Sequence, residues 1–149
     1  MCEREMTETE ARRILGVDFG QRRIGLAISD PTGTVAQPVG YVTGGVKDVL
    51  AVAESRQVQA IVVGVPRRLD GTESDQTRAT LEFIAALEMA TTIRVVRWDE
   101  RLTTREAERV LVAGGVRRRQ RREKVDQLSA QLILQSYLDA THNSSQAGI

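Results

Sequence analysis

A chain of 149 residues that is 41% hydrophobic and 28% charged suits one well-buried soluble domain, and a single globular unit rather than two complete ones is expected. Its longest apolar runs, such as Ala60 to Val65, are far too short to span a bilayer, and the acidic start MCEREMTETEAR is unlike a signal or transit peptide, so a cytoplasmic location with no membrane partner is expected. Formal net charge is only +1, yet residues 117–124, RRRQRREK, gather five arginines and a lysine against one glutamate, which mounts a basic, polyanion-seeking segment on a mildly acidic body.

In chain order, residues 1–12 read as a flexible N-terminal tail. Ile14 to Phe19 reads as a strand and Arg23 to Ser29 as a second, with Ile24, Leu26 and Ile28 on one face. Their short connection predicts an antiparallel hairpin. After the turn DPTG, Thr34 to Thr43 reads as a third strand, and Pro38 places it at an edge or bulge. Val46 to Gln57 carries Val49, Leu50 and Ala53 at helical spacing, and Ala60 to Val65 is a buried-type strand. The polar connection PRRLDGTESDQTR is long for a compact domain and so is a candidate functional loop. An amphipathic helix follows over Thr77 to Ala90, then a strand over Thr92 to Trp98 that runs into Asp99 and Glu100. Thr103 and Glu106 form a capping-box pattern for a helix ending at Gly114 and Gly115. A last helix is predicted over 123–140, and 141–149 as a flexible C-terminal tail. Three antiparallel strands followed by alternating helix and strand predict a mixed α/β sheet in a single domain over 13–140.

Cys2 and His142 are the sole cysteine and histidine, and both lie in the end segments. That excludes an internal disulfide or a cysteine-based zinc site and leaves carboxylates to carry any chemistry. Asp18 stands at the C-terminal end of the first strand and Glu100 just past the last, on the edge where open α/β sheets hold ligands. Asp126 opens the final helix on a stripe with Ala130, Ile133 and Tyr137, an apolar face that aims it inward. Singly, each has a plain structural reading. Asp18 could accept turn N–H bonds, Glu100 could pair with Arg101 or Arg105, and Asp126 could oppose the positive end of its helix. Jointly, three carboxylates at separate element ends suit a hard cation such as Mg²⁺, and two such ions about 4 Å apart support phosphodiester hydrolysis.

Arg22 and Arg23 follow Asp18 directly, with Gly20 and Gly25 permitting close backbone approach. Arg67, Arg68 and Arg101 add positive charge near the other strand ends. Arg117, Arg118, Arg119, Arg121, Arg122 and Lys124 form the basic segment just before Asp126. All are candidate nucleic-acid contacts. With five aromatic residues in the chain, recognition by backbone shape and charge is expected over base stacking.

The motifs GVDFGQRRIGLAISD, VVGVPRRLDGTES, RWDERLTTREAERVL and KVDQLSAQLILQSYLD, in this order over residues 16–139, resemble those of the YqgF/RuvX family. The resemblance implies an RNase H-like fold with a five-stranded mixed sheet in the order 3-2-1-4-5, flanked by helices. It implies that Asp18, Glu100 and Asp126 ligate catalytic Mg²⁺ or Mn²⁺, with Asp99 as the alternative to Glu100. It also implies a two-metal-ion endonuclease that processes the 5′ end of precursor 16S rRNA, or one that resolves four-way Holliday junctions in DNA. The second activity requires a homodimer to cut symmetric strands; the first is open to a monomer. This chain departs from the family pattern at Arg67 and Arg68, where Leu and Asn are commoner.

Two other activities share parts of this pattern. An actin-like or sugar-kinase ATPase also begins with an acid and glycine between two strands, but Gln21 stands where a phosphate-binding hydroxyl is usual, and one lobe is too little chain. A non-catalytic RNA-binding ribosome-assembly factor would have no need of three acids beside a basic track.

Overall fold

The computed structural model describes residues 13–68, 70–100 and 129–141. Five strands form one sheet: β1 (Ile14–Asp18), β2 (Ile24–Ser29), β3 (Ala36–Val42), β4 (Ala60–Val65) and β5 (Arg94–Asp99). Their order is β3-β2-β1-β4-β5. β1, β2 and β3 pair antiparallel, whereas β4 pairs parallel to both β1 and β5. The crossovers between parallel strands require helices. Helix α1 (Val46–Ser55) precedes β4, and α2 (Asp75–Ala90) links β4 to β5. This is the mixed α/β order that the family resemblance implies. Among the described residues no helix is long and apolar enough to cross a membrane.

The two-residue period of the strands sorts their side chains onto two faces. Leu15, Val17, Ile24, Leu26, Ile28, Ile61, Val63 and Val65 pack with Val49 and Ala53 of α1 and Phe83, Ile84 and Leu87 of α2. The opposite face carries Ala27 and Ala36, which pack with Ala130, Leu134 and Leu138 of the helix over 129–141. That helix sits directly on β1: a Cβ at Gly16 would lie 2.7 Å from the Leu134 Cβ and 3.0 Å from the Ala130 carbonyl oxygen. The helix is also tied to the start of β3. The Gln135 Oε1 accepts from the Ala36 N–H at 2.9 Å, its Nε2 donates to the Thr34 carbonyl at 2.9 Å, and the Gln131 Nε2 donates to the Ala36 carbonyl at 3.1 Å.

Element limits shift for local reasons. Helix α2 starts two residues before the expected Thr77, because Ser74 caps it: its Oγ accepts from the Thr77 N–H while the Thr77 hydroxyl accepts from the Ser74 N–H. Phe19 leaves the strand to stack on Phe83, with ring centroids 4.6 Å apart. Pro38 sits on the edge strand, as its missing N–H requires, beside a register shift between Leu26 and Ala27. The expected helix over 103–114, the basic segment and both tails lie outside the described residues, apart from Thr141.

Asp30 organises the β2–β3 turn. Its carboxylate accepts from the Thr32 hydroxyl and from the N–H groups of Thr34 at 2.7 Å and Val35 at 2.9 Å. The Thr32 hydroxyl first, then the Val35 N–H, hold its pKa down at about 2 against an ordinary 3.8. A depressed pKa gives stability that is present above the unfolded value and lost as pH falls through about 4 toward about 2. Asp30→Ala is expected to cost roughly 1 kcal/mol at neutral pH, limited by solvent screening. Urea unfolding should show the parent and variant converging near pH 2.

Candidate active site

Asp18 ends the central strand, and register defines its neighbours. It pairs with Gly25 of β2, and Gly25 pairs with Tyr41 of β3. On the other side the β1–β4 ladder runs to Val17 against Val63, so one step further sets Asp18 beside Gly64, which pairs with Trp98 of β5. A row therefore crosses all five strands, Tyr41, Gly25, Asp18, Gly64 and Trp98, on the face that carries the 129–141 helix. The single carboxylate in that row has a glycine on each side.

The gap at Gly64 is filled. A Cβ there would lie 2.8 Å from the Glu100 Cγ and 2.4 Å from the Ile133 Cδ1. Glu100 thus folds back over β4, and its carboxyl hydrogen-bonds that of Asp18. Burial first, then the charge and hydrogen bond of Asp18, then the charge of Asp99, push the Glu100 carboxyl up to about 8 from an ordinary 4.5. Burial and a second carboxyl this close both disfavour the charged form of Glu100, so Glu100 keeps its proton at neutral pH. Ile133 is fully buried, and Tyr137 one turn on meets Trp98 edge to face at 5.6 Å, which closes this side of the row.

The gap at Gly25 is open. A cleft of about 340 Å³ lies there, lined by Asp18, Gly20, Gln21, Arg22, Arg23, Gly25, Tyr41 and Gln76. The Arg23 guanidinium lies 4.7 Å over the Tyr41 ring, and the Gln76 Nε2 donates to the Phe19 carbonyl at 3.0 Å, which ties the start of α2 to the turn after Asp18.

Of the residues expected from sequence, the structure brings together Asp18, Glu100, Arg22 and Arg23. Asp99 acts on Glu100 through charge, and strand alternation sets it on the other face from Trp98. Arg67 and Arg68 lie in the β4–α2 loop and do not line the cleft. Asp126, Arg101, Arg117, Arg118, Arg119, Arg121, Arg122 and Lys124 lie outside the described residues. Among the described residues no group of three potential metal ligands forms. The donor set at Asp18 and Glu100 nevertheless fits a hard divalent cation: both are carboxylate oxygens, and the two carboxyls lie within hydrogen-bond reach of each other.

Sequence reading missed Gly64, Tyr41 and Gln76. Gly64 had a signal, as a lone glycine inside the β-branched run AIVVGV, which commonly marks a close approach. Gly64→Ala is expected to drive the Glu100 carboxyl off Asp18, return its titration toward the ordinary range, and cost about 1–3 kcal/mol through overpacking. Carboxyl carbon NMR against pH, with denaturant unfolding, checks both.

The chain matches the model of one family, RuvX: Holliday junction resolvase, over residues 12–140. A protein of Syntrophus aciditrophicus named "Putative pre-16S rRNA nuclease" is 47% identical over 133 residues, covering 86% of this chain and 89% of that one. A protein of the same name from Thermoanaerobacter pseudethanolicus is 40% identical over 137 residues, covering 88% and 99%. Among solved structures, Thermus thermophilus RuvC in complex with a Holliday junction substrate aligns with a TM-score of 0.57 at 14% identity, covering 88% of this chain and 96% of that one. At that identity the likeness shows the shared fold.

Proposed function

The chain belongs to the RuvX family, and from that premise we propose that it is a metal-dependent endonuclease acting on structured nucleic acid, with precursor 16S rRNA as its substrate. The observation that carries this reading is the Asp18–Glu100 carboxyl pair, held at the strand ends beside an arginine-lined cleft. The names of the relatives point to precursor 16S rRNA. The family description points instead to four-way DNA junctions, which makes junction resolution the second reading.

In this proposal Asp18 and Glu100 hold Mg²⁺ or Mn²⁺, and Asp126 is the third ligand. Support for Asp126 comes from the stripe on which the sequence places it: Ala130 and Ile133 of that stripe are fully buried, against Gly16, two residues before Asp18 on β1, and against Gly64, its neighbour on β4. Bound there, the cation supplies Lewis-acid stabilisation of phosphate charge and lowers the pKa of a nearby water. The chain does the rest. Glu100 would have to be deprotonated to hold the cation, so binding would strengthen as pH rises. Arg22 and Arg23 bind and orient the phosphate, and the β1–β2 hairpin keeps them next to Asp18. The basic segment at 117–124 holds the substrate backbone without regard to sequence. The proposed domain is 13–140, acting in the cytoplasm. Resolution of junctions would in addition require two copies.

The test is cleavage of a precursor 16S rRNA fragment and of a four-way DNA junction, each with Mg²⁺, with Mn²⁺ and with chelator. Metal-dependent cutting of the RNA supports the proposal, and preference for the junction moves it to the second reading. No cutting of either with metal present would leave a binding protein only.

A further inference from the structure

The carboxyl pair uses the Gly64 side of the row and leaves the Gly25 side open. There Asp18 and Tyr41 stand on the same face two strands apart, a separation of about 10 Å at the usual strand spacing, and the residue that stands between them on β2 is Gly25. The outer wall is the Arg23–Tyr41 pair. Tyr41 belongs to neither core cluster and is 51% exposed, so the packing of the sheet does not account for a large aromatic residue at this place. The inner wall is Gln76, positioned by its bond to the Phe19 carbonyl.

A volume of about 340 Å³ lies at the small end for ligand sites and suits one nucleotide rather than a base pair. Duplexes keep their base faces stacked inside and offer proteins backbone and groove edges. Unpaired bases are instead taken on aromatic rings and guanidinium planes. An arginine laid over a tyrosine, about one to two nucleotides from the Asp18–Glu100 pair, is equipped for the second kind of substrate. We propose that the cleft is a subsite for a single unpaired nucleotide flanking the scissile phosphate, with its base against the Arg23–Tyr41 pair and its phosphate at Arg22. The inference rests on the nuclease reading of Asp18 and Glu100 and adds a substrate class to it: strands cut beside an unpaired base, at the boundary of single strand and duplex. Tyr41 is thereby the specificity-determining residue.

The test uses the full chain carrying Asp18→Asn, so that binding is read without cutting. The probe is an RNA hairpin with a single-stranded extension carrying 2-aminopurine at the first unpaired position, compared with a blunt, fully paired hairpin. Quenching of 2-aminopurine on binding is expected. Adding Tyr41→Ala should remove the quenching and weaken affinity for the extended probe about tenfold, with the blunt probe unaffected, while Tyr41→Phe restores both. Equal affinity of the Tyr41→Ala chain for the extended probe, or an equal loss on both probes, overturns the proposal. Cleavage by the chain with Asp18 intact is read separately in Mn²⁺. Cutting without Tyr41-dependent quenching refutes the subsite and leaves the nuclease; quenching without cutting refutes the nuclease reading and leaves a nucleotide-binding cleft.

Discussion

Asp18→Asn is expected to lower metal-supported cleavage by about a thousandfold or more, the equivalent of roughly 4 kcal/mol of transition-state stabilisation. The substitution removes one charge from a position that is rigid for three reasons. Asp18 ends the central strand, its neighbours on both sides are paired or parallel-packed strands, and the 129–141 helix sits on Gly16 two residues before it. A neighbouring carboxylate therefore has little freedom to move in and replace it. Fold stability should change little. Without metal, burial is the first cause that holds the Glu100 carboxyl high and the charge of Asp18 the second, and the Asn carbonyl can still accept from the protonated Glu100, so the variant should unfold close to the parent's temperature. A rate assay paired with thermal unfolding measures both. A variant that cuts as well as the parent, or one that loses activity together with its folded structure, would remove the case for Asp18 as a ligand.

The second large effect is on stability against pH in the absence of divalent cations. Glu100 ionises near 4.5 when unfolded and near 8 in the folded chain. Between those values the folded state keeps a proton that the unfolded state has released. The stability slope is set by protons bound unfolded minus protons bound folded, so it is negative: stability falls as pH rises from about 4.5 to about 8 and levels off above. For one proton the slope approaches about 1.4 kcal/mol per pH unit. Glu100→Gln should remove this component, and the difference between parent and variant isolates it from the other titrating groups. Saturating Mg²⁺ or Mn²⁺ should flatten the parent's curve by taking the proton's place, and the metal should bind more tightly at pH 8 than at pH 6. Denaturant unfolding at stepped pH, with and without metal, reads all of this. A parent curve parallel to that of Glu100→Gln would show that the Glu100 carboxyl is not held high in the folded chain.

Much of the architecture was legible because it is written in local periodicity. The alternation of Ile24, Leu26 and Ile28 marks one face of β2, and the same three residues lie in the larger core cluster. Pro38 marks an edge, and β3 is an edge strand. The acids at the ends of β1 and β5 could be grouped because parallel strands bring their C-terminal ends to one side of a sheet. Register is not written locally. Nothing in GVDFG or in AIVVGV says that Gly64 stands beside Asp18, since that depends on how β1 slides against β4. The same holds for Tyr41, which reaches the site only through two successive antiparallel pairings across Gly25. The choice between Asp99 and Glu100 as the acid facing Asp18 likewise turns on which face of β5 each occupies, and the strand's end had to be known to within one residue.

The ties from the 129–141 helix to β3 bear on how this protein behaves at high concentration. An edge strand offers unpaired N–H and C=O groups that template association with another chain. At the start of β3 both backbone groups of Ala36 and the carbonyl of Thr34 are occupied by the amides of Gln131 and Gln135. Two glutamine side chains there act as a substitute for a sixth strand, so a colliding molecule finds that stretch of the edge already taken.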